Sequence, residues 1–315
     1  MGYTLCVLGC GTMGIAIISG MISSLEARPI NGNVNKPAQS GTSTPLPSYM
    51  LYASDDTLPS RFIATVRRPE SAKKLKKLFD ADFMDRGSEL IEVTFGANIA
   101  AAKECDVLLL CCKPQLAAQI LSEEGMQDAL KNKLVISIMA GVTISQMESW
   151  LDPSTRIVRA MPNTPSKIRE GMTVVTPITK DQPLDREILL AIFSSIGRCR
   201  FLEEKHFDAC TALCGSGPAF VCVVLEALAD GGVMMGMPRA EALELAAQMM
   251  QGTARMVLQT GTHPAAIKDS VTTPGGCTIA GLLSLEDNRV RSTIARAVQV
   301  ATVKAHDLGQ PTGEK

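Results

Sequence analysis

The sequence predicts an α/β domain followed by an all-helical domain. Three observations carry this reading. Short apolar runs alternate with helix-patterned segments from the first residues to about residue 202, which implies a mostly parallel sheet covered on both faces. Strand signals stop near His206, and the later segments repeat with a helical period. At 315 residues the chain is long for one core and comfortable for two.

The first element is residues 4–8, a short apolar run that reads as a buried strand. It runs into Gly9-Cys10-Gly11-Thr12-Met13-Gly14, and a helix pattern follows over 15–25. Strand, G-x-G-x-x-G and helix in that order form a dinucleotide-binding fingerprint. Gly9 permits the tight turn, Gly11 lets the backbone approach a pyrophosphate, and Gly14 lets the helix lie against the sheet. Residues 27–60 are rich in Pro, Ser, Thr, Asn and Gly and read as a surface insertion. The second strand is then 62–66, with a rival at 49–53 followed by Asp55 and Asp56. The later strand is preferred because Pro69-Glu70 opens a helix directly after it, with Leu75, Leu78 and Phe79 as its apolar stripe.

Alternation continues with helix 97–104, strand 107–112, a mostly helical stretch 115–130, strand 134–138, helix 145–151 and strand 156–160. Shorter strands at 173–175 and 200–202 flank a helix at 185–195. Helices follow at 219–233, 239–259 and 292–308, and the Pro-Gly-Gly stretch between the last two opens another short helix. The domain boundary is placed near Lys205, giving 1–205 and 206–315. The second domain is rich in Ala, Gly and Met and too apolar for a small monomeric unit, which predicts a helical dimer interface and a homodimer or a larger assembly of dimers.

Composition excludes several function classes. The net charge is −1 and basic residues form no long run, so no nucleic-acid or anionic-membrane partner is expected. The apolar stretch 220–237 carries Glu226, Asp230 and two adjacent glycines and reads as a buried helix, not a membrane span. Ten cysteines, several inside apolar runs, predict a reducing compartment and a cytoplasmic location. No C-x-x-C pair exists and the three histidines are scattered, so no metal site is expected. The N-terminus has no basic region and does not read as a secretory signal. Cys6 also stands where a myristoylation motif needs Ser or Thr.

Two further features bear on ligands. Arg67-Arg68 follows the second strand where an acid would favour NAD; paired guanidinium groups there suit a ribose 2′-phosphate, although both could be solvated turn residues. Near residue 275, Gly275 and Gly276 expose N–H groups beside Thr278 at a helix start, a pattern fitted to an anion such as a carboxylate. The same residues would also make a plain loop with an N-capping threonine.

Several motifs in order resemble the pyrroline-5-carboxylate reductase family. They are the opening G-x-G-x-M-G, Cys112-Lys113-Pro114-Gln115, Ser137-Ile138-Met139-Ala140-Gly141-Val142-Thr143, Arg159-Ala160-Met161-Pro162-Asn163-Thr164-Pro165 and Gly215-Ser216-Gly217-Pro218-Ala219-Phe220. Most specific is Lys268-Asp269-Ser270-Val271-Thr272-Thr273-Pro274-Gly275-Gly276-Cys277-Thr278-Ile279-Ala280-Gly281 with Leu285-Glu286, which resembles the family's substrate loop. Cys277 departs from the Thr or Ala of many members, and Ser270 from the Asn of some.

The resemblance implies a Rossmann-type domain, an all-α dimerisation domain, and reduction of 1-pyrroline-5-carboxylate to L-proline by NADPH, with NADH also usable. It implies cofactor contacts from Gly9, Cys10, Gly11, Thr12, Met13, Gly14, Arg67, Arg68, Asn98, Cys112, Lys113, Pro114, Ala140, Gly141 and Asn163. Substrate contacts would come from Glu204, Asp269, Ser270, Thr273, Gly275, Gly276, Cys277 and Thr278, with Thr278 donating a hydrogen bond to the imine nitrogen. Glu204 could equally be an exposed surface glutamate. Alternatives are a hydroxyacid or 6-phosphogluconate-type dehydrogenase, which would need a catalytic lysine helix not found in the sequence, and a non-catalytic nicotinamide-binding sensor.

Overall fold

The computed structural model describes residues 2–27, 54–83, 87–178 and 182–309. Its strands are β1 (Tyr3–Leu8), β2 (Pro59–Val66), β3 (Ile91–Phe95), β4 (Val107–Leu110), β5 (Leu134–Ser137), β6 (Arg156–Met161), β7 (Gly171–Val175) and β8 (Gly197–Phe201). Among them run helices α1 (Thr12–Glu26), α2 (Pro69–Asp82), α3 (Asn98–Glu104), α4 (Ala117–Leu121), α5 (Met126–Leu130), α6 (Ile144–Glu148) and α7 (Pro183–Ser194). The later helices are α8 (Gly217–Met234), α9 (Arg239–Thr260), α10 (Pro264–Ser270), α11 (Cys277–Asp287) and α12 (Val290–Gly309).

The eight strands form one sheet in the order β3-β2-β1-β4-β5-β6-β7-β8. β1 to β6 are parallel, β7 is antiparallel to β6, and β8 is parallel to β7. The first six strands follow the order of a doubly wound dinucleotide fold, whose chain reverses direction between β1 and β4. Alternate residues of each strand feed two cores. Leu5, Val7, Phe62, Ala64, Leu109 and Ile136 pack under α1, α2 and α7. Cys6, Leu8, Ile63, Leu108 and Val135 pack under α3 to α6. Each fully buried side chain of this kind stabilises the fold by about 1.5–3 kcal/mol, so the sheet's position under the site is firmly held.

Three local differences from the expected elements have physical causes. β3 had no counterpart in the sequence reading: it is an edge strand, and Glu92 and Thr94 interrupt its apolar run. The stretch 115–130 is not one helix; a 3₁₀ turn (Pro114–Leu116), α4 and α5 succeed one another, and Gly125 at φ 88° breaks the last two apart. β2 begins at Pro59, so two residues assigned to the insertion are strand, with proline tolerated at its first position. The rest of the insertion and the rival strand 49–53 lie outside the described residues. Asp55 and Asp56 sit in a 3₁₀ turn before β2, and Arg67 and Arg68 follow it.

Close packing divides the chain into two units, Met1–Gly215 with Val303–Lys315, and Ser216–Thr302. The second unit is purely helical among the described residues, and its buried residues are three alanines, Ala229, Ala242 and Ala246. Val221, Val223, Met234, Met235, Leu245, Leu258, Leu283 and Val300 are all exposed. A helical unit with so little core of its own presents apolar surface built to be covered. The helical run Glu204–Met234 is also long and apolar enough to cross a membrane by length and composition.

Candidate active site

Six parallel strands bring their carboxyl ends to one edge of the sheet, and the expected cofactor residues follow those ends in turn. Gly9 to Gly14 follow β1, Arg67 and Arg68 follow β2, Asn98 follows β3, Cys112 to Pro114 follow β4, Ala140 and Gly141 follow β5, and Asn163 follows β6. An open α/β sheet binds its ligands at this edge, where the strand order reverses.

The three glycines differ in their surroundings. Gly9 has φ 79°, and a Cβ there would lie 3.0 Å from the Cys112 backbone, so only glycine fits the turn. A Cβ on Gly14 would come within 2.8 Å of Val7 Cγ1, so this glycine seats α1 on β1. Around Gly11 the nearest atom to such a Cβ is 3.9 Å away, which leaves the loop open to a ligand. α1 has no side-chain cap and no acid in its first turn. The N–H groups of Thr12, Met13 and Gly14 therefore form an uncapped, electropositive helix start suited to a phosphate. Cys10 is turned inward: its N–H donates to Thr65 O at 2.8 Å and its thiol is buried. Burial pushes the Cys10 thiol up to about 12 and the Cys112 thiol up to about 11, so neither is a thiolate near neutral pH.

Thr65, near the end of β2, was not foreseen. Its carbonyl accepts from Gly9 and Cys10, and its hydroxyl lies 3.4 Å from both Gly9 N and Asn98 Oδ1. It links the glycine turn to the start of α3, and a threonine inside an apolar strand gives no sequence signal of that role. Arg67, Arg68 and Lys113 are exposed, and Ala140 with Gly141 forms an open turn, Gly141 at φ 78°. Asn163 Oδ1 accepts from Met172 N at 2.9 Å, which orients the amide.

Glu204 is not a free surface residue. Its Oε1 accepts from Arg159 Nη1 at 2.7 Å and from Ile144 N at 2.9 Å. Arg159 is only 4% exposed and lies 4.9 Å over the Phe207 ring. One carboxylate oxygen thus ties β6, the first residue of α6 and the start of the long helical run. Arg159 was also missed as a site residue; a charge within an apolar strand was the available hint.

In the helical unit, Thr273-Pro274-Gly275-Gly276 is a tight turn closed by Gly276 N to Thr273 O at 3.1 Å, with Gly275 at φ 68°. Proline second and a left-handed glycine third are the residues a type II turn requires. The Gly276 N–H is therefore committed within the loop. The open N–H groups are instead those of Cys277, Thr278 and Ile279, in the first turn of α11, which has no side-chain cap. Thr278 is half-buried and Cys277 exposed. Asp269 pairs with Lys268, and the Ser270 hydroxyl donates to Ile267 O at 2.7 Å, so both side chains are engaged on α10.

Residues 204–308 match the family model described as pyrroline-5-carboxylate reductase dimerisation, and 49–141 match NADP oxidoreductase coenzyme F420-dependent. The chain is 47% identical to the pyrroline-5-carboxylate reductase of Schizosaccharomyces pombe, covering 97% of this chain and 99% of that protein. The chain belongs to the pyrroline-5-carboxylate reductase family. The Neurospora crassa member is 45% identical, over 97% of this chain and 93% of its own length. Among solved structures, the Plasmodium falciparum pyrroline carboxylate reductase with NADP bound matches at a TM-score of 0.73 and 26% identity, covering 98% of both chains. The Coxiella burnetii pyrroline-5-carboxylate reductase matches at a TM-score of 0.76 and 27% identity, over 98% of this chain and 99% of that one. The family's cofactor fits this edge of the sheet: the open side of Gly11, the uncapped start of α1 and the two exposed arginines suit a dinucleotide carrying a 2′-phosphate.

Proposed function

We propose that this chain reduces 1-pyrroline-5-carboxylate to L-proline with NADPH, the last step of proline biosynthesis, with NADH as a poorer donor. The observation that carries this reading is the 47% identity to a pyrroline-5-carboxylate reductase along almost the whole of both chains. The intact 268–281 loop supports the substrate assignment.

When bound, NADPH supplies the hydride for the imine carbon. The protein's part is position and charge. The N–H groups of Cys277, Thr278 and Ile279 hold the substrate carboxylate at the start of α11, with Gly275 and Gly276 keeping the approach clear of side chains. As hydride reaches the imine carbon, the C=N π electrons become a lone pair on the ring nitrogen, and the Thr278 hydroxyl donates a hydrogen bond to that lone pair. That nitrogen becomes more basic as the double bond is lost, so the bond strengthens along the reaction. An imine nitrogen binds a proton near neutral pH, so no strong side-chain acid is needed.

The apolar helices of the second unit are covered in a homodimer or an assembly of dimers, an assignment supported by the dimerisation match over 204–308. That cover also accounts for the apolar run Glu204–Met234, which carries Glu226 and Asp230 and is read as an interface element and not a membrane span. With a net charge of −1 and ten cysteines, all free, the chain is assigned to the reducing cytoplasm without a nucleic-acid partner. The test is NADPH oxidation that depends on added pyrroline-5-carboxylate. Oxidation with a 2-hydroxyacid couple instead would move the chain to the dehydrogenase alternative.

A further inference from the structure

α2 carries lysine at Lys73, Lys74, Lys76 and Lys77. Lysines on a helix are most often a solvated face and by themselves say nothing. Their place in the fold is more specific. Ala72, Leu75 and Phe79 of the same helix are buried against the sheet. At 3.6 residues per turn this directs Lys73, Lys74 and Lys77 outward, and all three are exposed. Among the described residues none of the three is in an ion pair. Lys76 differs, because it lines a cavity with the carboxylates of Asp80, Glu89 and Glu92. α2 starts at Pro69, beyond the carboxyl end of β2 and directly after the exposed Arg67 and Arg68. A rise of 1.5 Å per residue sets Lys73 roughly 6 Å and Lys77 roughly 12 Å along the axis from that start. Over residues 67–77 the only acid is Glu70, and the other acids of α2, Asp80 and Asp82, lie at its far end. A chain of net charge −1 thus gathers positive charge along one ridge that leads to the ligand edge.

We propose that Lys73, Lys74 and Lys77 form a steering ridge, which draws the anionic cofactor from solvent to the ligand edge without touching it once it is bound. NADPH carries about four negative charges at neutral pH and NADH about two. The field of an exposed cation extends about 8–10 Å at physiological ionic strength, so the fields of neighbouring side chains overlap along the ridge. Charges placed beside a site and not in it act on the rate of arrival and leave the rate of departure nearly unchanged. The inference rests on the NADPH reading above. It adds a kinetic preference for the more highly charged cofactor, separate from any contact made in the complex.

The test is stopped-flow binding of NADPH and NADH to the full chain, read by the fluorescence of the reduced nicotinamide. At about 20 mM ionic strength, Lys73→Gln plus Lys77→Gln is expected to slow NADPH association about threefold, and Lys73→Glu plus Lys77→Glu about tenfold. NADH association should slow by less than about twofold in the glutamine pair, because it carries half the charge. Dissociation rates should stay within about twofold of the parent, and the differences in association should vanish near 0.5 M salt, at unchanged melting temperature. The control for net charge is Arg198→Gln plus Arg200→Gln, two exposed residues on β8 at the far side of the sheet, which should leave both rates unchanged. Parent-like association by the glutamate pair at low salt would overturn the ridge while leaving the NADPH reading intact. Faster dissociation with unchanged association would make the lysines contacts of the bound cofactor and overturn steering. Equal slowing by the β8 control would reduce the effect to net charge and also overturn it. Failure of the parent chain to bind NADPH would overturn the NADPH reading and the ridge together.

Discussion

Replacing Arg159 with methionine is expected to loosen the join between β6 and the helical run that starts at Glu204. Arg159 is 4% exposed and its partner Glu204 has a side chain 32% exposed. Removing one member of a fully buried pair costs about 3–5 kcal/mol. With Glu204 a third open to water, about half of that is the appropriate figure, near 2 kcal/mol. The lost cation–π contact with Phe207 adds about 0.5–1 kcal/mol. A total of about 2–3 kcal/mol corresponds to a fall of roughly 5–10 °C in melting temperature for a unit of this size. Glu204→Gln keeps an acceptor for Ile144 N and should cost less, about 1 kcal/mol. Because the start of α6, just after Gly141, hangs on the same carboxylate, NADP affinity is expected to fall with Arg159→Met and recover in part with Arg159→Lys. Melting curves and NADP titrations on the three variants are the assay. A melting temperature within 1 °C of the parent for Arg159→Met would refute the reasoning.

Thr278→Ala is expected to lower kcat by one to two orders of magnitude with little change in NADPH affinity, since its hydroxyl bond strengthens only as the nitrogen changes; an unchanged kcat would remove Thr278 from the chemistry. The double variant Arg67→Ala plus Arg68→Ala should lose at least tenfold in kcat/KM with NADPH and little with NADH, because charge-assisted bonds of about 1.5–3 kcal/mol each are lost only for the phosphorylated cofactor; equal losses would show that the arginines do not read the 2′-phosphate. Burial raises the Cys10 thiol to about 12 from an ordinary 9.0, so the folded state binds the proton more tightly than the unfolded chain does. Its contribution to stability is therefore complete below about pH 9 and is lost as pH rises toward 12. Iodoacetamide at pH 8 should accordingly label exposed Cys277 well before Cys10, as read by mass spectrometry.

How much of this was legible in the sequence depends on how local each feature is. β1, the glycine turn and α1 could be read directly, because a buried parallel strand is a continuous apolar run and each glycine answers a separate steric demand. The Pro274-Gly275 pair announced its turn for the same reason, since the turn type dictates both residues. β3 alternates apolar and polar residues, as an edge strand with one buried face does, and so lacks the continuous apolar run that marks the central strands. The second unit's apolar content followed from composition, but the stretch 220–237, read as a buried helix, is mostly exposed on the single chain. Contacts across long separations could not be read. Arg159 meets Glu204 across 45 residues, and Thr65 meets Asn98 across 33, so neither pair leaves a periodic trace. The commitment of the Gly276 N–H to its own turn likewise depends on backbone geometry, and it leaves the open N–H groups one residue along, at the start of α11.

Hydride transfer to a cyclic imine can be followed atom by atom with an isotope. The purified chain is incubated with pyrroline-5-carboxylate and NADPH carrying deuterium at both nicotinamide C4 positions, and the product is examined by NMR and mass spectrometry. The expected product is L-proline in equal amount to the NADP formed, with one deuterium on the ring carbon that had been the imine carbon. A folded chain that binds NADPH yet yields no labelled proline would contradict it.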